Sequence, residues 1–284
     1  MKTSLVLGFF DGVHKGHQEV IRAASDYAQG GEVILLTMAD SPEKFFNKQC
    51  NYIYSRKNSI SKTKEFGITK VVSENFENIH NQTDTEFLER IVHKYKPDGI
   101  FTGFNYTFGI NKTGSPKVLE QYQEKYNYKY FCIPPFKINE EIVSSTIIKK
   151  YLSIGNINYA NELLGTNFIL EGQVIQGAKL GRTIGFPTAN MEYPDHIIKI
   201  PYGVYAIKLG QYAGIMNYGM KPTINNITHP IIETHIINYD EDLYGKNIRI
   251  DIISRIRNEQ KFNCINDLKE QLEKDKNKCL ELLS

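Results

Sequence analysis

Features that would mark several protein classes are scarce or absent in this sequence of 284 residues. Tryptophan is missing, and the four cysteines are scattered, without the spacing of a metal site or of a compact disulfide framework: Cys50, Cys132, Cys264 and Cys279. We therefore expect a reducing compartment, the cytoplasm. The formal net charge is only +2, so the chain lacks the concentrated basic surface that is typical of dedicated nucleic-acid-binding proteins.

Long hydrophobic runs are also missing. No stretch approaches the roughly 20 consecutive apolar residues that a membrane helix requires. The apolar run 5–10 follows Lys2 and faintly resembles a signal peptide, but Asp11 interrupts it and no small-residue cleavage site follows. Hydrophobic residues make up 41% of the chain and charged residues 23%. This composition is typical of a globular protein, and the length is sufficient for two domains.

The first half of the sequence alternates short apolar runs with helical patterns. The predicted strands are 4–9, 32–38, 68–72, 99–102 and 129–133. The predicted helices between them lie near 16–29, 54–66, 85–94 and 117–126. This order indicates an α/β domain with a parallel sheet covered by helices, in which ligands bind beyond the carboxyl ends of the strands.

The pattern changes after about residue 140. Two helices are predicted over 144–153 and 157–164, and Gly165 can end the second. From Phe168 onward the chain favours short strands joined by glycine, proline and asparagine turns, which indicates an all-β barrel or sandwich. The clearest strands are 202–209, 212–218, 231–238 and 246–256, and the range 265–283 is an amphipathic helix with Leu268, Leu272, Leu280 and Leu283 as its apolar positions. We therefore predict two domains, 1–165 and 166–284.

The segment 8–17 (Gly-Phe-Phe-Asp-Gly-Val-His-Lys-Gly-His) joins the first predicted strand to the first predicted helix. Its glycines allow a tight turn and a close backbone approach to a ligand, and the start of the helix offers free N–H groups suited to phosphate. His14 and His17 can both face one ligand and stabilise the charge of a leaving pyrophosphate. In-line attack on an α-phosphorus then needs positioning but no covalent intermediate. The alternative is a loop with two solvated histidines. Because the two histidines flank a glycine at this turn, the pattern favours the binding site over that alternative.

A second glycine-rich segment, 177–190 (Gly-Ala-Lys-Leu-Gly-Arg-Thr-Ile-Gly-Phe-Pro-Thr-Ala-Asn), lies in the β-rich half. Its glycines, together with Lys179 and Arg182, suit phosphate binding. It is not a P-loop, because no Gly-Lys-Ser/Thr opens a helix. The Thr188 hydroxyl and the Asn190 amide offer oxygen ligands to Mg²⁺, a hard cation. Spacing alone leaves a phosphate site and a glycine-rich β-hairpin with a proline turn equally open.

Glu233 belongs to a strand with alternating apolar residues. A period of two places it with His235 on one face, and Ile232, Thr234 and Ile236 on the other. A carboxylate there can act as a general base that accepts the proton of an attacking primary hydroxyl. Taken by itself, the pattern favours the alternative, a solvent-facing glutamate on an ordinary strand.

The segment 8–17 resembles the histidine signature of the nucleotidyltransferase superfamily. Its Phe-Asp-Gly-Val-His-x-Gly-His form is similar to the N-terminal domain of prokaryotic bifunctional riboflavin kinase/FAD synthetases. Segments 103–109 (Gly-Phe-Asn-Tyr-Thr-Phe-Gly) and 144–149 (Ser-Ser-Thr-Ile-Ile-Lys) resemble that family's second nucleotide motif and its segment near the ATP phosphates. The resemblance implies a Rossmann-like domain that transfers AMP from ATP to FMN, with His14 and His17 as catalytic residues. The residues that it implies for nucleotide binding are Gly8, Phe10, Asp11, Gly12, His14, His17, Asn105, Ser144, Ser145, Thr146 and Lys149.

The second glycine-rich segment closely resembles the riboflavin kinase signature of the same family, Gly-Arg-x-x-Gly-Phe-Pro-Thr-Ala-Asn, and the ranges 217–223, 233–235, 242–246 and 257–262 agree with it. The resemblance implies a six-stranded antiparallel β-barrel with a C-terminal helix, which transfers the γ-phosphate of ATP to riboflavin with Mg²⁺ as cofactor. The implied nucleotide-binding residues are Lys179, Gly181, Arg182, Gly185, Pro187, Thr188 and Asn190, of which Thr188 and Asn190 also serve the metal. The implied flavin-binding residues are Phe186, Glu233 and Arg257, with Glu233 as the catalytic base.

Departures from the family's pattern fall in the first half of the chain. Where the family shows Thr-Phe-x-Pro-His-Pro, residues 37–42 are Thr-Met-Ala-Asp-Ser-Pro, so a histidine is missing; Lys149 replaces an arginine and Phe9 an asparagine. We therefore expect adenylylation to be the weaker reaction. The alternatives are a riboflavin kinase whose FAD synthetase half has weakened or been lost and, from another class, a non-catalytic flavin- or nucleotide-binding regulator. The expected ligands are riboflavin, FMN and ATP, with no nucleic-acid or membrane partner.

Overall fold

The computed structural model describes residues 1–176, 185–222 and 228–284, which form two compact units, Met1–Ile147 and Ile148–Ser284. Within these ranges no helix is long and apolar enough to cross a membrane. The predicted site residues Lys179, Gly181 and Arg182 lie outside the described residues.

The first unit is built on a five-stranded parallel sheet with the order β3-β2-β1-β4-β5. Its strands are β1 (Ser4–Leu7), β2 (Val33–Met38), β3 (Lys70–Glu74), β4 (Gly99–Gly103) and β5 (Lys129–Ile133), and a small hairpin follows, β6 (Lys137–Ile138) and β7 (Glu141–Ile142). Its helices are α1 (Lys15–Ala28), α2 (Pro42–Phe45), α3 (Arg56–Glu65), α4 (Phe76–Ile79), α5 (Asp84–Tyr95) and α6 (Pro116–Gln121). The strand order reverses between β1 and β4, and such a switch point is where open α/β sheets bind ligands.

Apolar residues of the sheet alternate between two cores, one on each face. Leu5 and Leu7 of β1 pack with apolar residues of α5 and α6, whereas Val6 packs against α1. The buried residues of α1 recur at helical spacing: Gln18, Val20, Ile21, Ala24 and Ala28. Each fully buried aliphatic side chain contributes roughly 1.5–3 kcal/mol, so the sheet is a fixed platform for the loops at its carboxyl edge.

The second unit begins within α7 (Ser145–Ser153), continues through α8 (Ile157–Leu164) and closes six antiparallel strands into a barrel with the order β10-β11-β12-β9-β8-β13. The strands are β8 (Phe168–Ile175), β9 (Ala189–Glu192), β10 (Gly203–Leu209), β11 (Tyr212–Pro222), β12 (Thr228–Ile236) and β13 (Asn247–Arg257). Fully buried residues such as Tyr205, Met216 and Ile232 are on the inward face of the barrel. Alternate residues face outward, as the pleat requires.

The C-terminal helix α9 (Ile265–Leu283) packs on the outside of this barrel. Cys279, which is fully buried, joins Ala206 and Ile215 in an apolar cluster and donates its thiol proton to the carbonyl oxygen of Gly214 at 3.1 Å. Asp275, on the same side of the helix, is only 1% exposed. The burial of these positions fixes which face of α9 is turned toward the strands.

The predicted fold class is confirmed: the parallel sheet, the six-stranded barrel and the C-terminal helix are all present. The helix predicted over 117–126 is shorter, Pro116–Gln121, since turns follow it and Asn127 adopts a left-handed conformation with φ of 55°. The compact units divide at Ile147, because α8 packs against β8 and β13 of the barrel. The functional division at 165 stays a prediction.

Candidate active sites

The loop between β1 and α1 is held in an unusual backbone conformation. Phe10, Gly12 and Val13 all have positive φ, at 58°, 81° and 46°. A Cβ on Gly12 would lie 2.7 Å from the Cδ1 atom of Ile53, so glycine is required there for space as well as for conformation. The amide of Ile53 donates to a carboxylate oxygen of Asp11 at 2.9 Å. These constraints shape the loop before any ligand is bound.

His14 and His17 lie together at the start of α1. His14 is the N-cap residue, and its Nδ1 accepts a hydrogen bond from the backbone amide of His17 at 3.3 Å. The two rings are stacked, with centroids 3.6 Å apart and an interplanar angle of 18°. Because Nδ1 accepts, a neutral His14 carries its proton on Nε2, where it can donate to a ligand.

Burial keeps these two imidazoles neutral. It lowers the pKa of His14 from 6.5 to about 3. The pKa of His17 is lowered well below its usual value, first by burial and then by the proximity of His14. The Nδ1 of His17 is buried and has no hydrogen-bond partner among the described residues. The pair is thus suited to donating and accepting hydrogen bonds at a phosphate, and it brings no positive charge.

Other predicted nucleotide-site residues lie on neighbouring segments of the first unit. Asn105 is exposed in the loop after β4, the strand beside β1. The Ser145 hydroxyl donates to the backbone carbonyl oxygen of Asp11 at 2.8 Å, which ties the start of α7 to the β1–α1 loop. Ser144 accepts a hydrogen bond from the amide of Ile147, and Thr146 is exposed. Lys149 follows on α7, half-buried, beyond the division between the units.

A cavity of about 630 Å³ runs along the carboxyl edge of this sheet. Gly8, at the end of β1, lines it, and a Cβ on Gly8 would lie 2.6 Å from the ring of Phe10. Aromatic side chains line much of the rest: Phe9, Phe46, Phe76, His80, Phe87, Tyr106 and Phe108. The cavity has the size and lining expected for a flat aromatic ligand.

Arg56, which was not identified from the sequence, organises this edge. Its guanidinium lies 4.2 Å from the ring centroid of Phe9 and donates to the carbonyl oxygens of Phe9 at 2.9 Å and Met38 at 2.8 Å. It also donates to the hydroxyl of Thr37 and to the carbonyl of Ala39. Arg56 therefore joins the ends of β1 and β2. A single arginine at the start of a predicted helix carries no signal for this role.

In the second unit, strand register places Glu233 and Asn190 on one face. Glu233 of β12 pairs with Asn190 of β9 on one side and with Asn217 of β11 on the other. Glu233 is half-buried and Asn190 is buried, while Ile232, Thr234 and Ile236 are buried on the opposite face. The predicted alternation in this strand is therefore confirmed. Directly opposed residues of antiparallel strands project to the same side.

Thr188 precedes Asn190 by two residues and lines a cavity of about 410 Å³. The other wall of this cavity consists largely of the polar segment 239–244, which includes Asp240, Glu241 and Asp242. Within the described residues there is no cluster of three histidine, cysteine, aspartate or glutamate side chains that could bind a metal. The Thr188 hydroxyl is a hard oxygen donor beside this cavity.

The remaining predicted residues of the second site lie nearby. Phe186 is buried, with its ring centroid 4.9 Å from that of His235, while Gly185 and Pro187 are exposed. A ring nitrogen of His235, Nδ1, is 2.9 Å from the Pro187 carbonyl oxygen. Burial lowers the pKa of His235. The histidine thus connects β12 to the backbone just before β9.

Arg257, which was predicted to bind flavin, has a protein partner. Its guanidinium donates to both carboxylate oxygens of Asp275, from Nε at 2.9 Å and from the terminal nitrogen at 2.7 Å. Gln271 also donates to Asp275, at 2.9 Å. The ion pair joins the end of β13 to α9. Asp275 was not identified from the sequence, because the apolar positions of α9 gave no sign that a carboxylate is buried among them.

Both halves of the chain are similar in sequence to known protein families. Residues 1–147 match the FAD synthetase family model, and residues 164–283 match the riboflavin kinase family model. The bifunctional riboflavin kinase/FMN adenylyltransferase of Bacillus subtilis (strain 168) is 32% identical over 297 residues, which cover 100% of this chain and 93% of the relative. That of Haemophilus influenzae (strain ATCC 51907 / DSM 11121 / KW20 / Rd) is 31% identical over 283 residues, covering 96% of this chain and 91% of the relative.

Among solved structures, a crystal structure described as that of a macrolide-efflux protein from Streptococcus pneumoniae is similar to this chain. It is 28% identical, with a TM-score of 0.86, and the match covers 97% of this chain and 93% of that one. The similarity therefore extends over both units.

Proposed function

Because this chain belongs to the family of bifunctional riboflavin kinase/FMN adenylyltransferases, we propose roles for its residues in the two reactions, riboflavin to FMN and FMN to FAD. Both domains of the family are present, and the chain is a transferase that acts on flavins with ATP, rather than a non-catalytic regulator. The roles of individual residues follow from the resemblance to this family together with the geometry of each unit.

In the kinase reaction, Glu233 is the general base. The observation that supports this role is its half-buried position directly opposite Asn190, on the outward face of the barrel. The carboxylate accepts the proton of the 5′-hydroxyl of riboflavin as that oxygen attacks the γ-phosphorus of ATP, and ADP leaves in line. Phe186 and Arg257 contribute to the flavin side of the site, the latter held in place by Asp275.

Thr188 and Asn190 would hold Mg²⁺. Their hydroxyl and amide oxygens are hard ligands two residues apart in the chain, and Thr188 lines the 410 Å³ cavity. When bound, the cation offsets the negative charge of the transferring phosphate. The exposed Gly185 and Pro187 line the approach to this position for the nucleotide.

In the adenylyltransferase reaction, the phosphate of FMN attacks the α-phosphorus of ATP and pyrophosphate leaves. His14 and His17 donate neutral hydrogen bonds to the phosphates, and the backbone of Gly8 to Gly12 follows the nucleotide closely. Asn105 holds the nucleotide, and Ser144, Ser145, Thr146 and Lys149 serve its phosphates. The aromatic 630 Å³ cavity accepts the isoalloxazine ring of FMN.

We also propose a cytoplasmic location. All four cysteines are free in the structure, and ATP, the phosphate donor, is an intracellular metabolite.

The test incubates the purified protein with riboflavin, ATP and Mg²⁺ and separates FMN from FAD by chromatography. Glu233→Gln should keep its fold and lower FMN formation by roughly 10²- to 10⁴-fold, the usual effect of losing a general base. Added FMN should still be converted to FAD by this variant, which serves as the internal control. Near-normal FMN formation in Glu233→Gln would rule out the assigned base.

A further inference from the structure

Strand β12 lies between β9 and β11, so Glu233 has a directly opposed neighbour on each side. These neighbours are Asn190 and Asn217. Directly opposed residues of antiparallel strands have Cβ atoms about 4.5–5.5 Å apart. A carboxylate is thus placed between two carboxamides, and only Asn190 has a role in the proposed kinase reaction.

Asn217 lies on β11 between two positions of the same face that are covered by other residues. Ile215, two residues before it on the same face, is covered by the apolar cluster beneath α9. On the other side is Gly219, and the carboxylate of Glu259 occupies the space where a Cβ of Gly219 would be. Asn217 itself is half-buried between these two covered positions. Asn217 therefore keeps part of its exposure on the face of the barrel that also carries Glu233.

A carboxamide in this position has suitable chemistry for orienting a base. Its N–H groups can donate to one oxygen of the Glu233 carboxylate and leave the other oxygen to accept the proton of a hydroxyl. A glutamate has three rotatable bonds, and fixing them before the reaction avoids an entropic cost in the transition state. Asn190, on the other side, is proposed for the metal and nucleotide, so the flavin side of Glu233 depends on β11.

We propose that Asn217 is a positioning residue for the kinase reaction, which holds the Glu233 carboxylate toward the 5′-hydroxyl of riboflavin. This inference rests on the proposed function of Glu233 as the base. Asn217 acts through Glu233 and transfers no proton itself.

The first test compares variants with the same number of side-chain heavy atoms in the full-length chain. Asn217→Leu removes the hydrogen bonds and should lower kcat for FMN formation about ten- to a hundredfold, the effect of one charge-assisted hydrogen bond in a transition state. The KM values for riboflavin and ATP should change little. Asn217→Asp places a second carboxylate opposite Glu233 and should lower kcat at least as much. Asn247→Asp, an identical change at an exposed position of β13, is the matched control and should be neutral.

The decisive test is a pair of double-mutant cycles measured by single-turnover FMN formation. If Asn217 acts through Glu233, Asn217→Leu should have no further effect in the Glu233→Gln background. In the Glu259→Gln background its full effect should remain, since Glu259 is the other carboxylate near this face. In all of these variants, the rate of FAD formation from supplied FMN should equal that of the native protein.

Three outcomes would overturn the inference: unchanged kcat in Asn217→Leu, additive effects of Asn217→Leu and Glu233→Gln, or loss of the Asn217 effect in Glu259→Gln. If Asn217→Leu lowers the melting temperature, the same cycles are measured with the small polar variant Asn217→Ser. This variant should retain part of the native kcat. Full activity of Glu233→Gln would instead refute the proposed base itself, so the two failures are distinguishable.

Discussion

The stacked imidazoles of His14 and His17 make the first unit sensitive to acid. Spacing predicted that both would face one ligand, and the structure does place them together. Their stacking and neutrality could not be predicted, because they depend on left-handed residues in the preceding loop and on burial that only the folded chain provides. The local pattern therefore identified the residues, while their protonation state depends on tertiary structure.

Acidification should destabilise the protein through these histidines. The pKa of His14 is about 3 in the folded chain and 6.5 in a model peptide, so the unfolded chain binds more protons between these values. Stability is thus fully present above pH 6.5 and is lost as the pH falls toward 3. For His14 alone the loss at pH 5 is about 2 kcal/mol. Urea unfolding at pH 7 and pH 5 measures it, and a His14→Ala/His17→Ala variant should lose distinctly less; an equal loss would refute the assignment.

The same double variant separates the two reactions. His14→Ala with His17→Ala should abolish FAD formation and leave FMN formation near its native rate, because the histidines and Glu233 belong to different compact units. Both products are measured in one assay with riboflavin and ATP. A parallel fall of the two rates would show that the model of two sites is wrong.

Strand β12 and helix α9 show which elements the sequence could define. A period of two assigned the faces of β12 correctly, since alternation is a local property. In α9, Leu272 and Leu283 contact the core as their pattern suggested, but Leu280 is 43% exposed. The register that aligns Glu233 with Asn190 and Asn217 could not be predicted from local patterns, because strand pairing joins residues that are far apart in the chain.

Helix α8 determines where the kinase unit can be cut. Four of its residues are completely buried: Ile157, Ala160, Leu163 and Leu164. Asn161 also donates to the carbonyl oxygen of Ile252 at 2.9 Å and accepts from the Phe168 amide at 2.7 Å. A fragment 144–284 should fold and make FMN, whereas a fragment 166–284 should lose on the order of 5 kcal/mol of apolar burial. Circular dichroism and FMN formation by both fragments check this; equal stability would contradict it.

Taken over its full length, the chain carries intact kinase motifs beside an altered adenylyltransferase half. The structure shows protein contacts at two of the altered positions, the segment 37–42 and Phe9. Asp40, in the segment that lacks the histidine, pairs with Lys44 at 2.8 Å, and the guanidinium of Arg56 is bound to the neighbouring backbone. Neither contact was predictable from the family's pattern. We still propose that adenylylation is the slower reaction, because Lys149 cannot bind phosphate oxygens with the planar fork of an arginine.

Lys149→Arg tests this proposal. A charge-assisted hydrogen bond is worth roughly 1.5–3 kcal/mol, which corresponds to about a ten- to hundredfold gain in FAD formation if it acts in the transition state. Lys150→Arg, at the adjacent exposed position, is the matched control and should have no effect. If native FAD formation already equals FMN formation and arginine adds nothing, the departures are neutral.

The buried ion pair between Arg257 and Asp275 has a consequence for synthesis on the ribosome. The barrel strands are translated before Asp275, so a nascent chain carries the Arg257 guanidinium at the end of β13 without its counter-ion. Without α9 this guanidinium is exposed to water, and so are Ala206 and Ile215, which α9 covers. Each buried aliphatic side chain contributes roughly 1.5–3 kcal/mol, a large part of the net stability of a small domain. A chain released before α9 is complete therefore has a poorly stable kinase unit that quality-control proteases can degrade, while the first unit, already translated, keeps its own core. Premature termination should thus abolish FMN synthesis while the first unit of the same chain stays folded.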